Sequence, residues 1–251
     1  MATVVDVSQR ERALSNLRQS LRYLLHSAVL GCGFRLVRAS PFERAIRRWE
    51  LTHDDFYFVQ IGAHNGVTSD PFQRFIVEGL WTCVLVEPQP ESFQILQTIY
   101  CDRDKVHCIN AAIGPEEGTL RLYQIRDSVE GLPYWANQLA STRREVIASH
   151  ADRIPQIDQY IEEVEMPCRT LASVCLDQHL PRIDLLAIDV EGYDYEVVRH
   201  IDQLPYRPKF IYYEHLHLSV DDYQASLKFL QSRGYRTQSV NNGDTFAIYQ
   251  R

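Results

Sequence analysis

Gly62 and Gly66 bracket the segment Gln60-Ile-Gly-Ala-His-Asn-Gly66, which follows a β-prone run and precedes a helical one. Glycine in such a turn lets the backbone bend tightly and approach a ligand closely. Twenty-one residues after Gly66, at the end of the next apolar run, stands Glu87, followed by Pro88. A carboxylate placed there can accept hydrogen bonds from both hydroxyls of a ribose. Turn and carboxylate together predict a site for a nucleoside-containing ligand. Asn110-Ala111-Ala112, leaving a third apolar run, adds a small-sided slot and an amide for an adenine edge. A dinucleotide site would require G-x-G-x-x-G, and Gly-Ala-His-Asn-Gly does not supply it.

A second group of reactive side chains follows further on: Asp189 and Glu191 after one apolar run, Glu214 and His215 after the next. In α/β sheets ligands bind beyond the carboxyl ends of the strands, so these groups and His64 should gather on one side. Asp189 ends the apolar run Leu185–Ile188, and a carboxylate so placed needs a partner, either a cationic ligand group or a nearby Arg. Glu191 either binds substrate hydroxyls or caps the helix that begins near Asp194. His215, with an ordinary pKa near neutrality, is the first choice for a general base. Strand alternation sets Glu214 and Leu216 on one face and His215 and His217 on the other. Asp189, Glu214 and His215 could instead hold Mg²⁺ or Mn²⁺, but nothing in their spacing demands a metal.

The elements that must position these groups alternate between strand and helix from Phe56 onward. Phe56–Gly62, Trp81–Pro88 and Lys105–Gly114 read as strands, with helices over Pro71–Gly79 and Glu91–Tyr100 between them. That rhythm predicts βαβ units and a mainly parallel sheet with helices on both faces. Thr119–Ile125 reads as a further strand. Residues 126–163 break the rhythm and are expected to form a helical cap, with helices at Arg143–His150 and Gln156–Glu163. Tyr134, Trp135, Ser141 and His150 in that insertion offer stacking surface and donors for a sugar or phosphorylated glycoside. The alternative is a helical pair on the sheet edge with Trp135 as core. The sheet resumes at Ile183, continues through Lys209–His215, and ends in two strands joined by Asn241-Asn242-Gly243-Asp244, a hairpin signal.

Residues 1–50 form a separate helical extension by this reading, with leucines at helical spacing over 8–30 and nine Arg against four acidic residues. It could pair two chains into a homodimer or rest on an anionic membrane surface. No stretch is apolar and long enough to span a bilayer. The whole chain has a formal net charge of −7, which argues against wholesale nucleic-acid binding. Six scattered cysteines without a C-x-x-C pair or a leader fit a reduced, cytoplasmic protein.

FVQIGAHNGVTSDP, VLVEPQPESFQIL, INAAIG, RTLASVC, IDLLAIDVEGYDYEVVR and the closing GYR…DTFAIY occur in order over about residues 56–250. In that order they resemble the FkbM-like S-adenosylmethionine-dependent methyltransferases. The resemblance implies a Rossmann-like class I sheet ending in an antiparallel hairpin, and O-methyl transfer to a small hydroxylated molecule such as a sugar or secondary metabolite. It implies cofactor contacts from Gly62, Ala63, Asn65, Glu87 and Asn110, with Gln60, His64, Pro88, Ala111 and Ala112 adjoining them. Many such enzymes carry Asp where Gln60 stands, facing the methionine ammonium; Gln60 offers only an amide oxygen, so Asp189 is the expected anion. A cofactor-binding scaffold without catalysis is the competing reading, and an NAD-linked oxidoreductase a weaker one.

Overall fold

The computed structural model describes residues 40–250 apart from 79, 80, 127, 128, 130 and 134, and the side chain of Asn137. The helix expected over 8–30, any pairing through it, Cys32 and Tyr134 lie outside the described residues. The chain divides into two units, Met1–Arg44 and Ala45–Arg251. At the end of the first, Ser40 and Glu43 form a reciprocal capping box, Glu43 N donating to Ser40 Oγ and Ser40 N to the Glu43 carboxylate. This box starts helix α1 (Pro41–Glu50). The last residues of α1 belong to the second unit: Trp49 Nε1 donates to Asp184 Oδ1 at 2.9 Å, and Trp81 Nε1 to Glu50 Oε1 at 2.5 Å.

In chain order the second unit continues with β1 (Phe56–Ile61), α2 (Gln73–Glu78), β2 (Trp81–Val86), α3 (Pro90–Tyr100), β3 (Val106–Ile109) and β4 (Ala112–Ile113). Next come β5 (Gly118–Ile125), β6 (Ala140–Ser141), α4 (Arg144–Ala148), β7 (Ile161–Arg169) and α5 (Leu171–Asp177). The chain closes with β8 (Leu185–Ile188), α6 (Asp194–Arg199), β9 (Phe210–Glu214), α7 (Val220–Ser232), β10 (Tyr235–Ser239) and β11 (Asp244–Tyr249).

Among the described residues the main sheet has seven strands in the order β10-β11-β9-β8-β1-β2-β3. The five central and flanking strands are parallel, and β11 runs antiparallel to both β9 and β10. Continuous apolar runs such as Leu185–Ile188 suit strands buried on both faces. One face packs Val59, Ile61, Val84, Leu186, Ile188, Ile211 and Tyr213 against Leu171, Val174, Val197, Val198 and Leu230 of α5, α6 and α7. The other face is aromatic, with Phe58, Phe72, Phe75 and Trp81 in mutual ring contact. The strand order reverses between β1 and β8, and the site forms beyond that switch point.

A second, four-stranded sheet, β4-β7-β5-β6, differs from the single sheet expected. The run expected as one third strand breaks at Asn110-Ala111: β3 stays in the main sheet, and β4 pairs with β7 instead. The helix expected over Gln156–Glu163 is a short 3₁₀ turn at Ile157–Gln159, after which the chain enters β7. There Val164 and Met166 stand opposite Leu122 and Leu120 of β5, an alternation that buries one side of the pair. The rest of the insertion folds around its own apolar cluster of Leu139, Ile147, Ile154 and Ile157.

Candidate active site

Strand register builds the site. Gln60, Ala187 and Tyr212 lie side by side across β1, β8 and β9. With a period of two, the next positions on the same face are Gly62, Asp189 and Glu214. A Cβ on Gly62 would lie 1.7 Å from the Asp189 carbonyl oxygen, and its φ of +78° is a left-handed value. Only glycine fits that crossing. The cavity above it measures about 450 Å³.

Glu87 lies at one end. Its buried carboxylate accepts His64 N at 2.7 Å and Gln89 N at 2.9 Å, one backbone N–H on each oxygen. Burial outweighs these bonds and pushes the carboxyl up to about 7. Each oxygen keeps acceptor capacity for a ligand hydroxyl. His64 Nδ1 accepts Asn65 N, which puts the ring proton on Nε2. That Nε2 is buried and has no partner among the described residues. Ala111, Ala112, Ile113, Leu120 and Leu122 form an apolar wall beyond Glu87, so the second sheet lines the cavity too.

At the other end Gln60 meets Asp70. Gln60 Oε1 and Asp70 Oδ2 are buried without partners among the described residues. Asp70 Oδ1 accepts Phe72 N at 2.7 Å, and burial pushes the carboxyl up to about 6. Asp70 thus places a second carboxyl beside Gln60, in addition to that of Asp189, the anion expected from the sequence. Asp189 itself opens to the cavity from the switch point. Burial, then Asp244 and Asp70, raise its carboxyl above the ordinary range.

After Asp189 the backbone turns through Glu191 (φ +49°) and Gly192 (φ +92°). Asp194 holds that turn, accepting Val190 N at 3.1 Å and Gly192 N at 3.0 Å. Glu191 points its Oε2 to within 3.1 Å of His217 Nε2. Burial raises the Glu191 and Glu214 carboxyls strongly, and neighbouring carboxylates add to it. Six carboxylates line the cavity, from Asp70, Glu87, Asp189, Glu191, Glu214 and Asp244, and its described lining holds no Lys or Arg.

Several expected positions differ. His215 faces away: its Nδ1 lies 3.0 Å from Thr245 Oγ1 and its ring stacks on Tyr223. Alternation is the reason, since His215 follows Glu214 and turns to the helix-covered face with Tyr213. Alternation ends with β9 at Glu214, so the expected pairing of His215 with His217 fails and His217 returns to the Glu214 side. The candidate metal set Asp189, Glu214 and His215 is therefore not assembled. Asn65 folds back on its own turn, its Oδ1 accepting Val67 N and Thr68 N. Asn110 Nδ2 donates to the carbonyls of Glu87 and Pro88, both at 2.9 Å, and braces the strand end rather than lining the cavity.

The insertion meets the cavity through Gln138, Ala140 and Thr142, not through Trp135, Ser141 or His150. Trp135 packs on the insertion's apolar cluster and lies 5.5 Å from the His150 ring. Ser141 is buried and donates from Oγ to the Glu191 carbonyl at 2.6 Å, tying the insertion to the Asp189–Gly192 turn. Asp70 and Asp244 are readable afterwards as an Asp-Pro helix start and the closing residue of the hairpin.

A mainly parallel sheet with an antiparallel hairpin at its edge, a glycine turn at the switch point and an acidic residue ending β2 define a Rossmann-like class I methyltransferase, dependent on S-adenosylmethionine. The chain belongs to the FkbM family: the Methyltransferase FkbM domain matches residues 60–237. No curated protein matches the chain. Among solved structures it is similar to methyltransferase FkbM from Methylobacillus flagellatus KT, at 14% identity and a TM-score of 0.48, over 78% of this chain and 44% of that one. It is also similar to a precorrin-6y C5,15-methyltransferase from Geobacter metallireducens GS-15, at 13% identity and a TM-score of 0.40, over 82% and 86% of the two chains. Aeropyrum pernix fibrillarin, solved with natively bound S-adenosyl-L-methionine, shares 11% identity at a TM-score of 0.40, over 77% and 66%.

Proposed function

We propose that the chain transfers the methyl group of S-adenosylmethionine to a hydroxyl of a small molecule that is neutral or cationic. The observation that carries this reading is the composition of the cavity: six acidic side chains and, in its described lining, no Lys or Arg. Such a lining complements a sulfonium and an ammonium and opposes phosphates. It speaks against a pyrophosphate cofactor, and against the phosphorylated acceptor that the insertion's composition allowed.

The residues present fit the donor. Glu87 offers acceptors to the ribose hydroxyls, Ala111–Ile113 with Leu120 and Leu122 an apolar slot for the adenine, and Asp70 with Gln60 two partnerless oxygens for the ammonium. His64 Nε2 is a donor suited to the amino-acid carboxylate. When bound, the donor supplies a methyl group activated by positive sulfur. The chain's own part is alignment, exclusion of water and removal of the acceptor's proton. Asp189, open to the cavity and raised toward neutrality, is the proposed base, a role worth ~10²–10⁴-fold in rate. Gln138, Ala140 and Thr142 of the insertion bound the acceptor side.

The experiment is methyl transfer from a labelled donor to a panel of neutral glycosides and polyols, their phosphorylated counterparts and RNA. Transfer to neutral hydroxyls supports the reading. Transfer confined to phosphorylated acceptors or to RNA contradicts it.

A further inference from the structure

Glu191, Glu214 and His217 bring one ligand atom each to within 4.8 Å of one another. They come from three different places: the turn after β8, the end of β9, and the loop beyond it. Two carboxyls that converge in this way are relieved either by a proton or by a cation held between them. Glu191 Oε2 and Glu214 Oε2 are both fully buried, and neither has a hydrogen-bond partner among the described residues. Glu191 Oε2 lies 3.1 Å from His217 Nε2, a separation that two ligands of one ion can also have.

The surroundings hold these groups in place. Ser141 fixes the Glu191 backbone, and Arg143 Nη2 donates to the His217 carbonyl at 2.8 Å. The same Arg143 nitrogen would be 2.6 Å from a Cβ on Gly192, so the turn and the insertion are packed against each other.

We propose that Glu191, Glu214 and His217 form a binding site for one divalent metal ion at the acceptor side of the cavity. Two carboxylates balance the charge of a divalent ion. Mixed carboxylate and imidazole ligation suits Mn²⁺, Fe²⁺ or Zn²⁺ better than Ca²⁺. Three protein ligands leave further positions open, as in metal sites that also take water or substrate. Glu191 and Glu214 line the same cavity as Asp189, so an ion held there would be available to an acceptor's oxygen. That last step rests on the methyl-transfer reading; binding of the ion does not.

The test uses the full chain freed of metal with a chelator and titrated with Mn²⁺, free ion being followed by electron paramagnetic resonance. One ion per chain is expected, displaced by Zn²⁺ and weakened at least about tenfold in each of Glu191→Gln, Glu214→Gln and His217→Ala. Pulsed measurements on the wild-type complex should show nitrogen modulation from one imidazole, which needs no variant to fold. Absence of saturable binding up to about 1 mM Mn²⁺ overturns the proposal. So does bound Mn²⁺ without nitrogen coupling, or binding indifferent to all three substitutions. Donor binding that persists while Mn²⁺ binding fails would remove the metal site and leave the methyltransferase reading intact.

Discussion

The Cα of Gly62 sits against the Asp189 carbonyl so closely that a single added carbon would come within 1.7 Å of it. β1 and β8 are neighbours in register at this level, and the chain can diverge from the sheet there only because one of the two residues has no side chain. The contact sets where the Asp189 carboxylate enters the cavity, so fold and site depend on the same atom's absence.

Gly62→Ala should therefore destabilise the domain by about 3 kcal/mol or more, because a backbone oxygen cannot rotate away and φ is left-handed. A Tm lower by about 10 °C is expected in thermal unfolding. A Tm within about 2 °C of wild type would mean that the two strands can separate freely.

Glu87 gives the ligand-free protein a pH dependence. Burial raises its carboxyl from 4.5 to about 7, so the folded chain keeps a proton there that the unfolded chain releases. Stability from that proton is fully present below about pH 4.5 and is lost as pH rises through about 7. Tm should fall across this window, and less steeply in Glu87→Gln. Equal slopes in the two proteins would show that Glu87 is not the group responsible.

Ser141→Ala leaves the Glu191 carbonyl without the bond that ties it to the insertion. The loss should be about 1–2 kcal/mol. On the proposed reading the insertion bounds the acceptor, so KM for the acceptor should rise more than kcat falls, and limited proteolysis within 126–160 should accelerate. Unchanged proteolysis would place the tie outside the forces that hold the insertion closed.

His215→Ala should leave turnover within about twofold of wild type and lower stability by about 1 kcal/mol, the worth of its Thr245 bond and Tyr223 stack. Asp189→Asn should lower kcat by about 10²-fold or more. The reverse pattern, an inactive His215 variant and an active Asp189 one, would restore the histidine as base.

The turn at Gly62, Glu87 just after β2, the parallel sheet and the closing hairpin were legible because each depends on local rules: continuous apolar runs, glycine at a forced turn, Asn-Gly chemistry. β7 was not. Its run Glu162-Glu163-Val164-Glu165-Met166-Pro167 is charged and half-exposed, with Val164, Met166 and Cys168 facing inward, and the helix expected over Gln156–Glu163 overlaps its start. Leu120 and Leu122 were missed for the same reason, because a second sheet is needed to bring them to the cofactor end. His217 was hidden by the end of β9, beyond which alternation no longer says where a side chain goes. Asp70 lies ten residues beyond Gln60, and only the fold shows that they meet.

On the proposed reading this acidic cavity holds S-adenosylmethionine through Glu87. Isothermal titration of the full chain with S-adenosylmethionine, alongside NAD and the Glu87→Ala variant, measures it most directly. One saturable site for the methyl donor, no heat with NAD and at least about a tenfold loss of affinity in Glu87→Ala are predicted. No heat with the donor, or donor binding untouched by removal of the Glu87 carboxylate, would contradict it.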